Sequence, residues 1–97
     1  MDVRFEWDPA KAASNLRKHH LSFEIAMRAF SDPFALTDQD RMEGGEQRWR
    51  TLGMVEGWLL VLVAHTVRDD DETEVIRIIS ARRAEPKERR RYEQENR

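Results

Sequence analysis

The sequence predicts an α+β fold: an N-terminal strand and two helices, then a four-stranded antiparallel meander and a C-terminal helix, with the helices on one side of a twisted sheet. Three observations predict it. Two helix-start signals, Asp8-Pro9 and Ser22, fall in the first quarter of the chain. Beyond Pro33 the apolar spacing changes from helical to alternating. The stretch from Glu74 to Tyr92 begins with β-branched residues and passes into a basic helix behind Pro86.

In order, Val3, Phe5 and Trp7 alternate with polar residues and predict a short strand with those three on one face. Asp8 caps a helix with Pro9 in its first turn, ending near His19. Ala12, Ala13 and Leu16 form its expected apolar stripe, leaving Lys11, Arg17 and Lys18 to water. Ser22 caps a second helix whose Phe23, Ala26, Met27 and Phe30 share one face, and Asp32-Pro33 ends it. Phe34–Thr37 is a candidate strand, and Asp38–Glu46 with Gly44-Gly45 reads as a polar loop. Gln47–Val55 and Trp58–Val67 are strands joined by a Glu56-Gly57 turn. Trp58–Val67 is the most apolar strand and is expected at the sheet centre. The tryptophans are read as core. An acidic loop, Asp69–Thr73, leads to the last strand, where Val75, Ile76, Ile78 and Ile79 predict burial on both faces. The final helix has Tyr92 as its only large apolar anchor and is marginal alone.

The 97 residues suit one domain, 1–97, with a modest core. There is no cysteine, so neither disulfides nor thiolate chemistry contribute. Without a signal peptide or a long apolar run, the expected location is cytoplasmic, with no membrane role. A net charge of -2 argues against an indiscriminate nucleic-acid binder, but the charges are segregated. From Arg77 to Arg91 there are seven basic residues against two acids. A rigid strand ending in guanidinium groups suits phosphodiester recognition or cleavage.

Arg82 and Arg83 therefore lead the site candidates, as phosphate clamp and transition-state stabilisers or as an ordinary solvated strand end. Arg77, mid-strand, needs an acid, solvent or a ligand. His65 is either a neutral core-edge histidine or a general acid–base group, with Arg68 three residues on. His19 and His20 close the first helix beside Lys18, where cations offset the helix dipole. Arg48 and Arg50 lie on the parity opposite Trp49. Tyr92 is a packing anchor or a stacking and proton-donating group. Extended geometry predicts about 30 Å between Arg68 and Arg82, giving two clusters: His65, Arg68 and Arg77, and Arg82, Arg83 and Tyr92. Three histidines without ligand spacing, and Asp38 and Asp40 without a third carboxylate, make no expected metal site, and no cofactor is implied.

The chain resembles the BrnT family, toxins of BrnT–BrnA toxin–antitoxin pairs. Phe5, Trp7, Asp8, Lys11, Asn15, Lys18, His19, Ser22, Phe23, Glu24 and Ala26 fill its opening pattern. Arg77, Ser80, Arg82, Ala84, Glu88, Arg89 and Tyr92 fill its closing one, and Glu46, Arg48 and Gly53 fit between. The resemblance implies a RelE-like fold and metal-independent endoribonuclease activity that arrests translation. It implies a BrnA-like antitoxin partner in a hetero-oligomer that reaches operator DNA only through the antitoxin. It implies catalytic roles among Arg82, Arg68, Arg77, His65, His19 and Tyr92, and RNA binding by Arg48, Arg50, Arg83, Lys18 and Arg89. His20 departs from the pattern, which has glycine there; a histidine must strain or end the helix differently. The acidic loop departs too. The alternatives are a non-catalytic partner-binding or co-repressor module, and a degenerate toxin.

Overall fold

The computed structural model describes residues 2–96. β1 (Asp2–Trp7) leads through Asp8 into α1 (Pro9–His19). The Asp8 carboxylate accepts from the Ala10 N–H, as the Asp8-Pro9 signal predicts. Ser22 caps α2 by accepting from the Ile25 N–H. α2 (Phe23–Ala26) lasts only four residues before tightening into a 3₁₀-helix, Met27–Ser31. The tighter winding turns Ala29 inward with Phe23 and Ala26, while Met27 and Phe30 are only half-buried.

Five strands form one sheet in the order β1-β5-β4-β3-β2. β2 (Leu36–Glu43), β3 (Glu46–Val55), β4 (Leu59–Asp70) and β5 (Thr73–Arg83) pair antiparallel with their chain neighbours. β1 adds parallel to β5, making the sheet mixed. β4 lies at its centre, as its apolar content predicts. The strands outrun their expected bounds. Asp38–Glu43, read as loop, is strand: Asp38, Gln39, Met42 and Glu43 pair with β3 around an irregularity between Gln39 and Met42. The acidic loop shrinks to Asp71-Glu72, with Asp69 and Asp70 paired to β5.

The helices are not all on one side. Residues alternate between faces, so Val61, Val63 and His65 of β4 point one way and Leu60 and Leu62 the other. The first set joins Phe23, Ala26, Ala29, Val55, Ile78 and Ala81 in the main core under α1, α2 and the 3₁₀-helix. The second joins Leu52 and Tyr92 in a smaller core under α3 (Pro86–Glu95). α3 is also better fixed than its composition suggests. Glu85 and Glu88 form a capping box, and Arg91 donates to both carboxylate oxygens of Asp38 on β2, at 2.5 and 3.0 Å. Trp58, expected in the core, is 64% exposed at the β3–β4 turn.

α1 keeps only part of its expected face, with Ala12 packed against the main core. Leu16 is half exposed, and the single buried residue is Asn15. The cause is the length of β5. β1 ends at Trp7 opposite Ile78, leaving the backbone of Ala81 without a strand partner on that side. The Asn15 amide supplies both bonds: its oxygen accepts from Ala81 N–H at 3.0 Å and its nitrogen donates to Ala81 C=O at 2.8 Å. A third bond, to Leu21 C=O, ties the same amide to the start of the α2 segment.

β5 carries a bulge. The register steps from His65↔Ile78 to Ala64↔Ser80, so Ile79 is an extra residue. Up to Ile78, odd-numbered β5 residues share the α3 face; beyond Ile79, even-numbered ones do.

Candidate nucleic-acid interface

The bulge assembles the site. Without it, Arg77 and Arg82 would lie on opposite faces. With it, Arg77 pairs with Thr66 and Arg82 with Leu62, both on the α3 side of β4. Arg68 shares that face, and so do Arg48 and Arg50, the latter opposite Ala64. Five arginines from three adjacent strands thus lie on one face. α3 covers the end of the face nearest Arg82 and Arg50, through Tyr92, Glu88 and Arg91.

Acids interleave the arginines. Arg68 reaches Glu6 of β1 with two hydrogen bonds, at 2.8 and 3.1 Å, and Arg77 donates to the same carboxylate at 3.1 Å. Hydrogen bonding from Arg68, reinforced by Arg77, holds the Glu6 carboxyl at about 2, so it is ionised at neutral pH. Glu6 is absent from the expected site. Its signal lay in the parallel register that sets it beside Arg77, which sequence alone does not supply. Arg48 meets Glu43 at 3.0 Å, and Arg50 lies opposite Asp38. Arg82 is gripped most fully: it forms two 2.9 Å hydrogen bonds with Glu88, which also accepts from the Glu85 N–H at 2.8 Å. Hydrogen bonding to Glu88 raises the already high Arg82 pKa. Arg82 thereby fixes the start of α3. Arg77 and Arg68 remain about half-exposed, with one shared acid between them.

The two expected clusters are redrawn. Arg68 and Arg82 lie opposite Val75 and Leu62, six residue steps apart along β4. The separation is about 20 Å rather than 30 Å. β4 continues past its expected end at Val67 to Asp70, so Arg68 lies within the strand.

His65 leaves the site. It points to the other face, 2% exposed, packed edge-on against Phe30 with ring centroids 4.9 Å apart. Its Nε2 is 2.8 Å from the Thr51 hydroxyl, which is 2.8 Å from that of Thr37. Its Nδ1 is buried with no hydrogen-bond partner among the described residues. Burial pushes its pKa down to about 4 and keeps it neutral.

Tyr92 is 8% exposed. Its hydroxyl donates to Asp32 at 2.5 Å, and burial together with that bond pushes its pKa up to about 12. Asp32 also accepts from the Met54 and Phe34 N–H groups, so Tyr92 pins α3 to the β2 approach. Arg83 and Arg89 are exposed and form no ion pair among the described residues.

His19 stays accessible. It lines a shallow cleft of about 250 Å³ between α1 and β5, with Lys11, Ser14, Asn15, Lys18, Ile79 and Ser80. His20 takes the left-handed conformation, φ 55° and ψ 35°, and its N–H donates to Leu16 C=O at 2.9 Å. The expected glycine cap is thus made by a histidine, and His19 stays helical. Among the described residues no group of three or more His, Cys, Asp or Glu side chains could hold a metal ion. No helix among them is long and apolar enough to cross a membrane.

The family model for the BrnT ribonuclease toxin of type II toxin–antitoxin systems matches residues 7–88. The chain belongs to the BrnT family. The crystal structure of the Brucella abortus ribonuclease toxin BrnT has the same fold, with a TM-score of 0.58 at 21% identity, covering 88% of this chain and 99% of that one. No curated protein matches. The two BrnT signatures meet in space at the cleft, where Lys11, Asn15, Lys18 and His19 from the first face Ser80 from the second.

Proposed function

We propose that this BrnT chain is a metal-independent endoribonuclease, RelE-like in mechanism, whose reactive centre is the open arginine face. The observation that carries the reading is the placement of Arg68 and Arg77 around Glu6 on exposed sheet, with Arg48, Arg50 and Arg82 on the same face. Guanidinium groups held by strands and by fixed acids are preorganised for charge that develops on phosphorus. In the reaction, the RNA 2′-oxygen attacks the adjacent phosphorus and the P–O5′ bond breaks. The products are a 2′,3′-cyclic phosphate and a 5′-hydroxyl. The 2′-hydroxyl proton goes to a base, and O5′ takes up a proton as it leaves. His19 is exposed and lines the cleft that includes Ser80, and it is assigned proton transfer; His65 and Tyr92 are not. Arg77 is the leading charge-stabilising residue, ahead of Arg82, which Glu88 already occupies.

Cleavage would arrest translation in the cytoplasm. A BrnA-like antitoxin would neutralise the toxin in a hetero-oligomer that binds operator DNA only through the antitoxin. The test is inducible expression of wild type beside Arg77→Ala, with RNA ends mapped. Arrest by the wild type, 5′-hydroxyl ends, and activity lowered about 100-fold or more in the variant are expected. Equal cleavage by a folded Arg77→Ala would remove the arginine face from the chemistry. The neutralised state of that face favours a second reading, a non-catalytic docking module. Soluble wild type that neither arrests growth nor cleaves RNA would select it.

A further inference from the structure

The sheet-face arginines Arg48, Arg68, Arg77 and Arg82 each meet a carboxylate. The lysines beside them do not. Lys11 and Lys18 form no ion pair among the described residues, and the cleft they line contains no acid. Lys11, Ser14, Asn15 and Lys18 fall at i, i+3, i+4 and i+7 along α1, so one helical face presents two ammonium groups and a hydroxyl to β5. The Asn15 amide makes three hydrogen bonds to backbone and fixes that face in place. Ser80 faces it from the strand, and its hydroxyl, like that of Ser14, has no hydrogen-bond partner among the described residues.

We propose that this cleft is a second phosphodiester subsite, in which Lys11 and Lys18, with the Ser14 and Ser80 hydroxyls, hold a phosphate of the RNA strand next to the reacting one. The inference deepens the nuclease reading and rests on it for the identity of the strand. Continuity supports it. The bulge at Ile79 puts Ser80 on the same face as Arg77 and Arg82, so the cleft opens onto the arginine face. β1 stops opposite Ile78, and beyond it the β5 edge is met by α1 through Asn15 rather than by a strand. In the proposed subsite, a single strand passes from the sheet face beside Ser80 into the cleft. The small volume, about 250 Å³, suits one phosphate of a single strand rather than the groove of a duplex.

The experiment titrates a labelled single-stranded 2′-deoxyoligonucleotide, which cannot be cleaved, against wild type, Lys11→Ala/Lys18→Ala and Lys11→Arg/Lys18→Arg across a range of salt. Both lysines are exposed, so the fold should hold, as circular dichroism will check. The alanine pair should bind about tenfold more weakly at low salt, with a salt slope shallower by roughly 0.7 for each phosphate no longer held. The arginine pair should restore both. With a long RNA substrate, the alanine pair should raise KM more than it lowers kcat. An unchanged affinity and slope would overturn the subsite. So would weakening confined to an acidic peptide titrated in parallel, which would mark a protein contact instead. Failure of the nuclease reading looks different: no preparation would cleave RNA, while the lysine-dependent oligonucleotide binding persisted.

Discussion

The two faces of this sheet treat charge in opposite ways. Under α1, α2 and the 3₁₀-helix, the sheet buries one histidine and keeps it neutral, with Phe30 against its ring. On the α3 side it displays arginines and sets a carboxylate against almost every one. Burial silences a titratable group, whereas pairing at an exposed surface fixes its geometry and keeps it charged. The first face therefore holds the larger core and the second carries the paired charges over a smaller one, though both arise from alternate residues of the same strands.

The sharpest way to test the contrast is acid. His65 has a folded pKa of about 4 against an ordinary value of 6.5. Between those values the unfolded chain binds a proton that the folded chain does not. Stability is thus intact above pH 6.5 and falls as the pH drops toward 4, by about 3 kcal/mol in total. Urea midpoints measured across this window should show the loss. His65→Leu, whatever its absolute stability, should flatten the curve there. The paired carboxylates Glu6, Asp38 and Glu88, all with lowered pKa values, add to the loss only from about pH 5 downward, so the stretch between there and pH 6.5 isolates His65. If the acid loss persists unchanged in His65→Leu, the buried histidine is not its cause.

Packing gives the next largest effect. A Cβ at Gly53 would lie 2.4 Å from the Ala29 carbonyl oxygen, because the 3₁₀-helix lies directly on β3. Gly53→Ala should cost about 2 kcal/mol or more, read as a lower thermal midpoint. The open face should respond less. Arg82→Ala removes the partner of Glu88 and loosens the start of α3, at about 1–2 kcal/mol, with faster amide exchange confined to that helix. If Arg82→Ala instead leaves stability unchanged and abolishes cleavage, its role is chemical. The smallest effect belongs to neither face. His20→Gly relieves a left-handed residue at the end of α1 and should raise stability by up to about 1 kcal/mol. A drop in thermal midpoint on that change would show that the imidazole itself stabilises the helix end.

Much of this architecture was legible from local chemistry. Asp8, Ser22 and the Glu56-Gly57 turn announce themselves because their roles depend only on adjacent backbone, and Glu56 and Gly57 take the positive φ angles that such a turn needs. What was not legible depends on partners distant in the chain. Asn15 reads as a polar helix residue until β5 is seen to outrun β1. Asp38–Glu43 reads as loop until β3 lies beside it. The site suffered most. His65 and Arg68 look like neighbours in sequence, but three steps along a strand place them on opposite faces. Arg77 and Arg82 look divided by parity, and a bulge unites them. Glu6, which organises the face, is an ordinary strand residue until its parallel register is known.

That bulge behaves like a frameshift written into the strand. Every β5 residue after Ile79 is displayed one position out of phase with those before it. The shift corrects an odd count, because Arg77 and Arg82 stand five places apart and a regular strand would turn them to opposite sides. Deleting Ile79 would bring the count to an even number, and a straight ladder would then keep both arginines together. Adding a residue beside Ile79 without a second bulge would do the reverse, sending Ser80 and Arg82 toward the main core and Ala81 and Arg83 to the α3 face. The arginine surface is thus encoded as much by the phase of the strand as by the arginines themselves, and a chain could keep every charged residue and still lose the face they form.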